Sequence, residues 1–92
     1  MKFSEAIEKV KDTGGIIGIK HWNFRVAVTN LKNPMILLDE KNQPLKNKDY
    51  KPNSFKSKWV LWDANPKFIL DDDWFVEKTF SKQEKGYFYK YL

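Results

Sequence analysis

The stretch WVLWDANPKFILDDDW, residues 59–74, holds three of the chain's four tryptophans and four aspartates. These residue types support two kinds of chemistry. Neighbouring carboxylates raise one another's proton affinity when partly buried, so Asp71, Asp72 and Asp73 are candidates for acid–base work. Indoles offer flat faces on which a nucleobase stacks, worth roughly 1–3 kcal/mol per base. The plain alternative places the three acids, exposed and mutually repelling, at the junction after a short helix.

Other reactive groups are scarce. The chain has no GxSxG elbow, no glycine-rich phosphate loop of the Walker type and no HExxH. His21 is its only histidine, so a zinc ion there would need carboxylates for all remaining ligands, and no paired-ligand spacing surrounds it. The lack of cysteine excludes thiol nucleophiles, thiolate metal sites and disulfides. These absences speak against nucleophilic catalysis and against a metal centre. Acid–base work by the aspartates stays open, and no cofactor is expected.

Two further residues invite binding roles. Trp22, between His21 and Asn23, is either simple packing or a base-stacking platform. Arg25 is the only arginine beside sixteen lysines, and its planar fork grips phosphate or carboxylate in a way lysine cannot reproduce.

The elements that must hold these residues follow from hydrophobic spacing. Phe3, Ala6, Ile7 and Val10 recur at three and four, Ser4 is a candidate N-cap and Gly14-Gly15 a stop, predicting a short amphipathic helix with a Glu5–Lys9 pair on its exposed side. IIGIK (16–20), FRVAVT (24–29), MILLD (35–39), KWVLW (58–62) and WFVEKTF (74–80) read as five strands. Residues 40–54, polar and broken by Pro44 and Pro52, read as a long loop. Asn65-Pro66 starts one short helical turn through Leu70. The fold class is therefore α+β: an N-terminal helix, then a mostly antiparallel sheet of about five strands with one short helix before the last. Residues 1–80 form a single domain, and the aromatic tail 81–92 is an extra strand or an interface arm.

Side-chain alternation sharpens the tryptophan question. Trp59 and Trp62 differ by three positions, so on a strand they point to opposite faces. One of them needs a second buried surface, either a subunit contact or a ligand pocket. Trp74 shares a face with Val76 and is the expected core anchor of the last strand.

The net charge of +5 is concentrated: residues 41–62 carry six lysines against one acid, Asp49. Such a patch suits an anionic partner, nucleic acid or a small phosphate-bearing molecule, or it is a solvated loop. At 41% apolar and 16% aromatic the chain should fold, and its charged opening MKFSEAIEKVKD is unlike a signal peptide, so a cytoplasmic protein without membrane association is expected.

The segment VLWDANPKFILDDDW resembles a pattern of the Thoeris anti-defence 2-like family of phages and prophages, approximately VPW, a short SQxD-containing turn, then MLAEDWE. Trp62 and Trp74 stand twelve positions apart, as in that pattern, with Ile69-Leu70 at its Met-Leu and Asp72-Asp73-Trp74 at its Glu-Asp-Trp. The opening KFSEAIEKVKDTGGIIGIKHWN is similar too, His21-Trp22-Asn23 standing at a Gly-Trp-Asn. The resemblance spans about residues 2–78 apart from the middle loop. Asn65-Pro66 replaces Ser-Gln, Phe68 stands at the pattern's aspartate and Phe75 at its glutamate.

The resemblance implies a non-enzymatic sponge that binds a cyclic ADP-ribose isomer made by bacterial TIR proteins, of the glycocyclic type, and withholds it from its effector in the infected host's cytoplasm. It also implies a homotetramer with pockets between protomers, and cyclic dinucleotides as a second ligand class of some relatives. In such a pocket Trp22 or Trp62 would stack the base, Arg25 and Lys58 would face phosphates, and Asn23, Asn65 or Asp73 would hold hydroxyls. Two rivals remain. One is a small basic nucleic-acid-binding protein, supported by the lysine segment and opposed by the acids beside the rings. The other is a nucleotide-directed enzyme using the aspartates.

Overall fold

The structure, a computed structural model, describes residues 1–29, 35–53, 57–81 and 83. Helix α1 spans Phe3–Val10 and buries Ala6 and Val10 on the face that the spacing selects. Its N-cap is Lys2 and not Ser4, because Lys2 is the last residue with extended backbone (φ −73°, ψ 157°). The Lys2 N–H donates to Glu5 Oε1 at 3.1 Å, closing one half of a capping box. Glu5 is thereby drawn away from the expected partner Lys9, and the ion pair on this helix is Lys11–Glu8 at 2.7 Å. Gly14, at φ 75°, turns the chain into the sheet while its N–H bonds Val10 O at 2.7 Å.

Four strands form one antiparallel sheet in the order β3-β2-β1-β4: β1 Gly15–Ile19, β2 Arg25–Val28, β3 Ile36–Leu38 and β4 Trp74–Thr79. Every residue of β1 is buried, as a central strand covered on both faces requires. A second helix, α2 Pro66–Ile69, precedes β4. Among the described residues no helix is long and apolar enough to cross a membrane.

The expected fourth strand at 58–62 does not form as a strand. Its residues make only the bridges Ile36–Leu61 and Lys46–Trp59, with Leu37 N–H to Val60 O at 3.0 Å and Trp62 N–H to Met35 O at 2.9 Å. The reason is competition for one short edge: Leu45 N–H also donates to Leu37 O at 3.2 Å, and Pro44 bridges Leu38. Two segments share a three-residue strand, so neither gains a run of successive pairs. The expectations for the tail fall mostly on residues 82 and 84–92, outside the described ones.

The sheet has an apolar cluster on each side. On the helix side Ala6, Val10, Ile17, Ile19, Val26, Val28 and Trp74 pack together. Trp74 is fully buried and anchors β4 as its sequence position implied. On the far side Ile16, Ala27, Ile36, Leu38 and Phe80 form a smaller cluster. Trp62 packs on the first and Trp59 on the second, so the two indoles do part as the alternation demanded. Within the chain, Trp59 rests half-buried on the far-side cluster.

Candidate functional site

The residues proposed for binding gather mainly where the β1–β2 turn, residues 20–24, meets the segment around α2. Asn65 caps α2 by accepting the Lys67 N–H at 2.9 Å, and Pro66 follows in the first turn, where its missing N–H costs nothing. This cap sets the path of Phe68, whose ring stacks on Trp22 with centroids 5.0 Å apart and planes 22° from parallel. Phe24 leans on Trp22 from 5.4 Å and remains 37% exposed. Below them, Trp74 Nε1–H donates to Phe68 O at 2.8 Å, fixing α2 to the core. Trp62 sits between Phe3 at 5.6 Å and Trp74 at 5.8 Å, with its own Nε1 buried and unpartnered. Phe68 stands where the resembling pattern has an aspartate, and its contact with Trp22 shows what the ring does here.

Acidic groups edge this aromatic set. His21 Nε2 lies 2.7 Å from Asp71 Oδ2. Asp71 Oδ1 accepts the Asp73 N–H at 2.8 Å, and Lys20 N–H donates to Asp73 O at 3.1 Å, so the turn and the loop before β4 are laced together. One potential ligand atom from each of His21, Asp71 and Asp73 lies within 4.8 Å of the others. The Asp71 carboxyl is held below its ordinary pKa, first by the Asp73 N–H that donates to it; partial desolvation opposes this, and the His21 bond and charge add to the lowering. The direction is opposite to the raised proton affinity that three adjacent acids suggested. Asp71 faces hydrogen-bond donors, while Asp72 and Asp73 are exposed.

Arg25 is placed differently from its expected role. Its side chain crosses β1 over Gly18, where an added Cβ would come within 2.6 Å of Arg25 Cδ. Only glycine leaves that passage open. The guanidinium lies 5.0 Å from the Phe75 ring centroid, Nη1–H donates to Trp22 O at 3.0 Å and to Phe24 O at 2.9 Å, and Nε stands 3.7 Å from Glu77 Oε1. A fork tied to two carbonyls, a ring and a carboxylate is a clamp on the far face, committed within the chain. Lys58 also belongs to the far side, its Nζ 5.4 Å from the Trp59 ring centroid.

Trp22, Asn23, Asn65 and Asp73 thus share one end of the molecule, Trp62 reaches it through Trp74, Arg25 touches it through the Trp22 and Phe24 carbonyls, and the Lys58 side chain is placed over Trp59 instead. Residue types alone did not single out His21 with Asp71, fifty positions apart, or Phe68; a histidine and an acid distant in sequence give no spacing signal. A separate groove of about 450 Å³ runs between the start of α1 and the end of α2, lined by Lys2, Phe3, Ser4, Ile69, Leu70 and Asp72; it includes the acid–base candidate Asp72 and none of the ligand-binding candidates. No family model matches the chain, and neither a curated protein nor a solved structure matches it.

Proposed function

We propose that the chain is a non-enzymatic sponge that binds and sequesters a cyclic nucleotide immune signal of the glycocyclic ADP-ribose type. The observation that carries this reading is the half-buried Trp22 ring, backed by Phe68 and flanked by Phe24, with the exposed polar groups of Asn23, Asn65 and Asp73 on the same two chain segments. A backed ring beside neutral and acidic hydrogen-bond groups suits an adenine and its ribose. The resemblance of the segments around Trp22, Trp62 and Trp74 supports the same ligand class. The phosphates need cations, and Lys58 lies on the opposite face of the sheet. A homotetramer with pockets between protomers, which the resemblance implies, would let Lys58 of one copy face the ring of another.

The test is capture and recovery. The chain is mixed with the cyclic ADP-ribose isomer, the complex is isolated and heat-denatured, and the released molecule is weighed by mass spectrometry. Intact ligand is expected, and a converted product would favour the enzyme instead. Trp22→Ala should weaken capture at least about tenfold, equivalent to about 1.4 kcal/mol. Unchanged affinity would return Trp22 to a packing role.

One observation favours the nucleic-acid reading. Lys58 Nζ over the Trp59 ring sets a cation against an indole on the lysine-rich far side. Binding to long single strands that falls steeply with salt, without capture of the cyclic nucleotide, would select it.

A further inference from the structure

We infer that His21, Asp71 and Asp73 form a binding site for one divalent transition-metal ion of the zinc or nickel class. The donor set is one imidazole nitrogen and carboxylate oxygens from two side chains, contributed by two segments fifty positions apart. An imidazole selects for this part of the first transition row over calcium and magnesium, which prefer oxygen alone.

The spacing is close to what coordination needs. Two ligands each about 2.1 Å from an ion and at right angles lie about 3.0 Å apart, and two opposite ligands about 4.2 Å apart. His21 Nε2 and Asp71 Oδ2 already stand 2.7 Å apart, and all three ligand atoms lie within 4.8 Å of one another. Coordination would replace the His21–Asp71 hydrogen bond and bring in the carboxylate of Asp73, which is exposed.

Neither carboxylate is in an ion pair with a lysine or arginine among the described residues, and a divalent ion would add positive charge beside both. The frame is set in advance: Asp71 Oδ1 is held by the Asp73 N–H, Asp73 O by the Lys20 N–H, and the Trp22–Phe68 stack joins the same two segments. With His21 62% exposed in its side chain, an ion can enter and water can fill the remaining positions.

The site shares Asp73 with the proposed nucleotide pocket but does not depend on that reading, and it is tested without nucleotide. The metal-free full chain is titrated calorimetrically with Zn²⁺ and Ni²⁺, and separately with Ca²⁺ and Mg²⁺. One Zn²⁺ per chain is expected, bound at least tenfold more tightly than Ca²⁺. His21→Ala and Asp73→Asn should each weaken Zn²⁺ binding at least tenfold while leaving the circular dichroism spectrum unchanged. His21 and Asp73 are surface residues, so both variants should fold. No saturable Zn²⁺ binding, equal affinity for Ca²⁺ and Zn²⁺, or a His21→Ala variant that binds as well as the parent would each overturn the site.

Discussion

The two faces of the sheet are held together by different physics. On the helix side the order comes from burial: α1 and Trp74 close over Ile17, Ile19, Val26 and Val28, and the aromatic rings of Phe3, Trp62 and Trp74 meet within 6 Å of one another. Hydrophobic association of this kind has no preferred direction, so it tolerates exchange among similar shapes. On the far side the apolar cluster is smaller, and Arg25 spans it as a directional clamp from the Trp22 and Phe24 carbonyls to Phe75 and Glu77. Volume fixes one face and hydrogen-bond geometry fixes the other. Trp22 stands where they meet, its ring on the first and its carbonyl on the second.

Substitutions can break that contrast, and the largest effect belongs to the buried face. Trp74→Ala removes a fully buried indole and one of the donors to the Phe68 carbonyl, so a loss of about 3–5 kcal/mol is expected in urea denaturation. A loss under about 1 kcal/mol would mean that Trp74 is not the keystone of that cluster. Next comes Arg25→Lys, which keeps the charge but loses the planar guanidinium over Phe75 and the Nε beside Glu77; a cost of about 1–3 kcal/mol is expected. If lysine is tolerated without cost, the far face is held by packing like the other one and the contrast disappears. Gly18→Ala probes the same clamp from below, since the new methyl group collides with Arg25 Cδ. It should displace the guanidinium from Phe75 and lower stability by a similar amount. The smallest effect is Lys58→Ala, where an exposed cation over an indole contributes under about 1 kcal/mol. Its value lies in the comparison with Arg25: two cation–ring contacts on one face, of which only the one with hydrogen-bonded ends should matter to folding.

Much of the scaffold was legible in the chain. The spacing of Phe3, Ala6, Ile7 and Val10 is enough to place α1, and Asn65-Pro66 enough to start α2. The three-residue offset of Trp59 and Trp62 put them on opposite faces, because the period of an extended chain is a local property. The segment 58–62 has strand composition, yet whether it becomes a strand depends on how much free edge β3 offers. That edge is divided with residues 44 and 45, which no reading of 58–62 alone reveals.

The candidate site was less legible, for a related reason. The chain by itself determined which side chains exist to bind, and that nucleophiles based on sulfur are absent. Tertiary structure decided their commitments: Arg25 turned inward because Gly18 left it a path, Trp22 acquired Phe68 as its backing, and His21 met Asp71 across fifty positions. Local periodicity depends on bonded neighbours and can be read along the chain. The partners of a charged or aromatic group depend on which distant segments the packed core brings within a few ångströms, and that is set only when the whole sheet closes.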